Sequence, residues 1–192
     1  MVQRNKTVSN LVLTALLTAL TLLCTFLLKI PVGPDCYIHL GDAVIFISVM
    51  ILPRRYACFA GPVGAGLADL LVGFAFWVPW TFFIKLFVVL VYGFFIDRAK
   101  SAKEKAALSG SEKTAKRIFG IPKIEFIGFL IACVIGVLGY FGAEWILFGQ
   151  WVPAAICIPL NCIQMGVAVV ISVLVSNALA RTGYRKDMLY IR

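Results

Sequence analysis

Charge is scarce in this chain, and so are the groups from which catalytic sites are built. Only 14% of its 192 residues are charged, nine acidic against eighteen basic, and there is one histidine, His39. A soluble domain carries about a quarter charged residues, so a fully water-facing surface is excluded. A single histidine excludes a multi-histidine metal centre, and no metal or cofactor is expected. No Gly-x-x-x-x-Gly-Lys-Ser/Thr run occurs, which excludes ATP hydrolysis by a phosphate-cradling loop. Cys24, Cys36, Cys58, Cys133, Cys157 and Cys162 show no Cys-x-x-Cys spacing. Most read as small apolar helix residues, with Cys36 the clear loop thiol. No fixed-period repeat interrupts the chain.

What the chain has instead is hydrocarbon. Residues of the hydrophobic class make up 61%, gathered in six apolar stretches. The expected fold is all-α: a polytopic membrane bundle of six transmembrane helices in one integral domain, 1–192. The helices fall near 9–28, 42–53, 55–76, 79–97, 123–148 and 153–181. Most approach the ~20 residues that cross ~30 Å of hydrocarbon. The second is short, and must be tilted, buried behind its neighbours or extended into its loops. Residues 98–122 are polar and read as a solvated linker. The first stretch has the basic flank of a signal peptide but no small-residue cleavage site, so it reads as a retained anchor.

The basic residues orient the bundle. With both termini cytoplasmic, sixteen of the eighteen lie inside, and only Lys29 and Lys85 fall on the other side. The net charge of +9 is therefore accounted for by cytoplasmic loops and tails beside a lipid bilayer, and no nucleic-acid partner is expected.

Depth along each helix, at 1.5 Å per residue, locates the polar groups. Asp69 is ~21 Å along helix 3 from the cytoplasmic side, and Lys85 lies ~9 Å inward from Pro79 on the descending helix 4. They reach the same level, where an ion pair between them is one reading and ligand contact the other. Asn161 and Gln164 lie ~12 and ~16 Å inward from Pro153, and Glu144 is near the outer end of helix 5. Buried polar groups confined to one half of a bundle point to a cavity open on that side, here the outside. For Asn161 and Gln164, interhelical hydrogen bonding is the alternative. Trp77, Trp80, Trp145 and Trp151 fit an interfacial belt, and Trp77 or Trp80 could instead stack on a flat ligand.

Between helices 1 and 2, residues 29–42 read as an ordered lid. It offers Asp35, Tyr37, His39 and Asp42, and the last of these could equally cap helix 2. Small residues mark close helix contacts: Ala57, Gly61, Ala65 and Asp69 every four positions on helix 3, and Ala15 with Ala19 on helix 1.

Ala15-x-x-x-Ala19, Ile38-His-Leu-Gly-Asp-Ala-Val-Ile-Phe46, Gly61-Pro-Val-Gly-Ala-Gly-Leu-Ala-Asp-Leu70 and Thr81-Phe-Phe-Ile-Lys85, in that order, resemble the substrate-binding subunit (S component) of an energy-coupling factor (ECF) vitamin transporter. The resemblance spans nearly the whole chain. It implies a multi-pass protein of a bacterial cell membrane and no enzymatic activity of its own. The implied partners are a transmembrane coupling subunit of the EcfT type and two cytoplasmic ATPases. It further implies capture of a vitamin or precursor from outside, with a small heteroaromatic favoured. Ligand contacts would come from Tyr37, His39, Trp80, Lys85, Tyr140, Glu144, Asn161 and Gln164, and coupling-subunit docking from Ala15 and Ala19. Two other classes stay open: a stand-alone proton-coupled secondary transporter using Asp69, Lys85 or Glu144, and, less favoured, a membrane-embedded enzyme.

Overall fold

The computed structural model describes residues 2–31, 37–108 and 117–181. Among them are six α-helices: α1 (Val2–Phe26), α2 (Gly41–Ile51), α3 (Arg54–Val72), α4 (Val78–Leu108), α5 (Lys123–Phe148) and α6 (Trp151–Arg181). Two short hairpins join them. β1 (Lys29–Pro31) pairs antiparallel with β2 (Tyr37–His39), and β3 (Arg117–Ile118) pairs with β4 (Ile121–Pro122). Asp35 and Cys36 lie outside the described residues.

Four helices are long and apolar enough to cross a bilayer, within α1, α4, α5 and α6. The short α2 stays inside the bundle, with eight of its eleven residues buried. Its length therefore does not have to match the hydrocarbon thickness, because protein rather than lipid surrounds it. Phe46 of α2 packs edge-on against Tyr92 and Phe129, which stack on each other 4.3 Å apart and fill the centre of the core.

The small-residue face of α3 is buried, as its four-residue spacing predicts: Ala57, Gly61, Ala65 and Asp69 all point inward. At Gly64 a side chain would come within 2.6 Å of the Thr18 carbonyl oxygen, so α1 and α3 touch backbone to backbone and only glycine fits. On α1 that contact uses Thr14, Leu17, Thr21 and Thr25, which are buried, while Ala15 and Ala19 face outward and are exposed.

The polar segment departs from the linker read in the sequence. α4 continues to Leu108 instead of ending near 97, and residues 117–122 form the β3–β4 hairpin. Residues 98–108 are rich in Ala, Lys and Glu, strong helix formers, so solvation and helicity coexist there. Asn177 of α6 fastens the hairpin by donating to the Phe119 carbonyl at 3.0 Å.

Candidate ligand-binding cleft

Six elements converge at the end of the bundle that carries the β1–β2 hairpin. α1 supplies Thr25, α3 Asp69, α4 Thr81, α5 Tyr140 and Glu144, and α6 Cys157, Asn161 and Gln164. β2 adds Tyr37 and His39, and Trp77 comes from the turn before α4. Together they line a cleft of about 70 Å³.

β2 can reach the cleft twice because alternate strand residues share a face. The Tyr37 hydroxyl donates to Asp69 Oδ1 at 2.9 Å. Burial and the neighbouring Asp69 push the Tyr37 phenol well above its ordinary range, so it stays a donor. The backbone N–H of His39 donates to Gln164 Oε1 at 3.0 Å, tying the strand to α6. The His39 ring Nδ1 accepts from the Gly41 backbone N–H at 3.1 Å, and its Nε2 lies 3.3 Å from Gln164 Nε2. A neutral ring accepts at one nitrogen only, so the bond from Gly41 places the proton on Nε2. Burial lowers His39 to about 4, the Lys85 charge adding to that and Asp42 opposing it, so the imidazole is neutral at physiological pH.

Beneath the cleft lies an ion pair that the sequence reading assigned to the wrong acid. Lys85 Nζ donates to Asp42 Oδ1 at 2.5 Å, with both side chains almost wholly buried. Gln164 Nε2 donates to Asp42 Oδ2 at 2.6 Å, and Lys85 Nζ sits 4.7 Å from the centre of the Tyr140 ring. The expected Asp69–Lys85 pair is thus replaced by Asp42–Lys85, and Asp69 turns to Tyr37. Residue depth placed Asp69 and Lys85 at one level correctly, but the direction each faces around its helix depends on the packing of α2. Asp42 caps nothing by side chain: the cap position of α2 is Leu40, which makes no side-chain bond.

Of the residues expected at a ligand, Tyr37, His39, Tyr140, Glu144, Asn161 and Gln164 line the cleft. Lys85 lies below it, sealed by Asp42 and Tyr140. Trp80 lies off it. Trp77 takes its place, its ring 6.0 Å from that of Tyr140. Sequence reasoning missed Thr25, Thr81 and Phe74. Thr25 could have been found, because Thr14, Thr18, Thr21 and Thr25 follow one stripe of α1 at spacings of three and four. Cys157, read as an apolar helix residue, also lines the cleft and is disulfide-bonded, whereas Cys24, Cys58, Cys133 and Cys162 are free thiols.

A multi-pass helical bundle whose buried polar groups and aromatic rings converge on one terminal cleft is the architecture of a membrane protein that binds a small solute. The chain belongs to the family of ECF-type riboflavin transporter S components, which it matches over residues 5–181. It is also 26% identical over 181 residues to the thiamine precursor transporter HmpT of Lactococcus lactis subsp. cremoris (strain MG1363), an alignment covering 93% of this chain and 92% of that protein.

Proposed function

We propose that this chain captures a vitamin or vitamin precursor, a small flat heteroaromatic, in the cleft beneath β2, and hands it inward as the specificity subunit of an ECF importer rather than acting as an enzyme. The observation that carries this reading is the cleft itself: ring-stacking surfaces from Trp77, Phe74 and Tyr140 beside the polar groups of His39, Asn161 and Gln164. The charge split of the loops orients the hairpin end outward and both termini into the cytoplasm of a bacterial cell. A chain without a phosphate-cradling loop draws its energy from elsewhere, here from a coupling subunit and two ATPases. Ala15 and Ala19 support the docking: both are exposed on α1, where their small side chains let another helix approach closely. The loaded subunit topples in the membrane as the ATPases drive the coupling subunit, and the cleft then faces inward.

The two surfaces are separable, which gives the test. Ala15→Leu or Ala19→Leu should abolish uptake and coupling-subunit pull-down while leaving ligand affinity of the isolated chain within about twofold, a small fraction of the 1.4 kcal/mol that a tenfold change represents. Trp77→Ala and Asn161→Ala should do the reverse, weakening binding by about tenfold or more with the pull-down intact. Native mass spectrometry of the purified chain identifies the copurified ligand, and calorimetry reads the affinities. Equal loss of ligand binding in both sets of variants would overturn the assignment.

A further inference from the structure

The threonine stripe of α1 ends in an anomaly. Thr14, Thr18 and Thr21 each donate to the carbonyl oxygen four residues earlier, at 2.6–2.8 Å, which is how a hydroxyl is satisfied inside a membrane helix. Thr25, the next on the stripe and the one that lines the cleft, has no partner for its Oγ1 among the described residues. Across the cleft, Asp69 Oδ2 also has none, although Oδ1 accepts from Tyr37. Both residues are deeply buried, at 2% and 4% exposure. A buried polar atom left unpaired costs about 1–3 kcal/mol, and more when it carries charge.

The polar groups beneath the cleft are committed. Asp42 is held by Lys85 and Gln164, and Gln164 also accepts from the His39 backbone. Lys85 is sealed from the cleft by Asp42 and the Tyr140 ring. Among the described residues no lysine or arginine lines the cleft, while Asp69 and Glu144 both do. An entering molecule therefore meets carboxyl acceptors with no cation among the described lining residues. The hollow is small, about 70 Å³, which favours one ring over a fused multi-ring system.

We propose that the cleft selects a single-ring heteroaromatic that carries an amino group or a positively charged nitrogen, with that nitrogen donating to Asp69 Oδ2, and that it rejects phosphorylated and carboxylated forms. The assignment rests on the reading of this chain as a substrate-binding subunit. Asp69 is then the specificity-determining residue. The ring stacks on the aromatic wall, and the carboxyl oxygens of Glu144 add acceptors that disfavour anions. A phosphate brought against two carboxyl groups finds no compensating cation, so anion exclusion follows from the same arrangement.

Matched ligand pairs test this on the unaltered protein in detergent. Calorimetry would compare 4-amino-5-hydroxymethylpyrimidine with its 4-oxo counterpart, pyridoxamine with pyridoxine, each amine with its phosphate ester, and riboflavin as the multi-ring alternative. The expected result is that at least one amine binds tenfold or more tighter than its amine-free twin, and that its phosphate ester does not bind. In Asp69→Asn the preference for that amine over its amine-free twin should fall to less than threefold. A thermal melt checks that the variant is folded, and the ligand pairs stand without it. Preference for riboflavin or for the amine-free twins would overturn this inference and leave the proposed function standing. Failure of every ring to bind would overturn both.

Discussion

The cleft at the hairpin end encloses about 70 Å³, and the groove between α5 and α6 about 920 Å³, yet the smaller of the two is the candidate site. The groove is lined by Phe126, Leu130, Val134, Leu138, Val170, Leu174 and other apolar groups, with Asn177 at one end, already used by Phe119. An apolar concavity facing lipid is filled by acyl chains at little cost, because lipid tails are as apolar as leucine. A concavity with buried acceptors is different: lipid cannot satisfy Asp69 or Thr25, and only a molecule with polar groups can. In a membrane protein, the chemistry of a hollow therefore locates the site better than its size does.

The sharpest test of that contrast is the ion pair under the cleft. Lys85→Met alone strands the buried Asp42 carboxylate and should cost about 3–5 kcal/mol, enough to lose most folded protein. Adding Asp42→Asn should recover a large part of that loss, whereas adding Asp69→Asn should not, since Asp69 pairs with Tyr37. Folded yield and thermal midpoint in detergent report it. Rescue by Asp69→Asn and not by Asp42→Asn would restore the pairing first expected from depth.

That expectation shows what one dimension of sequence can tell. Rise per residue is a fixed ruler, so Asp69, Glu144, Asn161 and Gln164 were placed at the level of the cleft before any packing was known, and α5 begins and ends where its apolar run does, at 123–148. Rotation about a helix axis is set by contacts with other helices, which no single stretch records. Hence Lys85 was given the wrong acid, and of the two stacking candidates Trp80 was preferred as a ligand contact to Trp77, three residues earlier at the end of the 3₁₀ turn. The burial of α2 was legible only as a shortness needing explanation. The extension of α4 was obscured because polarity was read as irregular chain, although Ala, Lys and Glu favour helix whether or not membrane surrounds them.

A second, intermediate effect separates the hairpin from the helices by pH. Burial holds the His39 imidazole at about 4, against an ordinary 6.5 in the unfolded chain. The unfolded state binds the extra proton between those values, so stability is fully present above 6.5 and is lost as pH falls toward 4. Between pH 7 and 5 the loss should be about 2 kcal/mol, at 1.36 kcal/mol per unit of pKa difference traversed. His39→Gln should melt with a flatter pH dependence over that interval, whatever its absolute stability. Identical slopes for the two proteins would mean that burial does not hold the ring neutral.

The smallest effect is expected in the large groove, and it completes the contrast. Gly166 lies on α6 and lines that groove, and a methyl group added there would meet nothing within 4 Å. Alanine stabilises a helix interior by roughly 0.5–1 kcal/mol relative to glycine because it has less backbone freedom to lose. Gly166→Ala should therefore raise the thermal midpoint slightly, by an amount set by that gain alone, and leave ligand affinity unchanged. The groove contributes no acceptor and no aromatic face to the cleft, so its shape can change without consequence for capture. If instead Gly166→Ala weakened binding as Asn161→Ala is expected to, the two hollows would be coupled through α6, and the division between a lipid-filled groove and a ligand-filled cleft would fail.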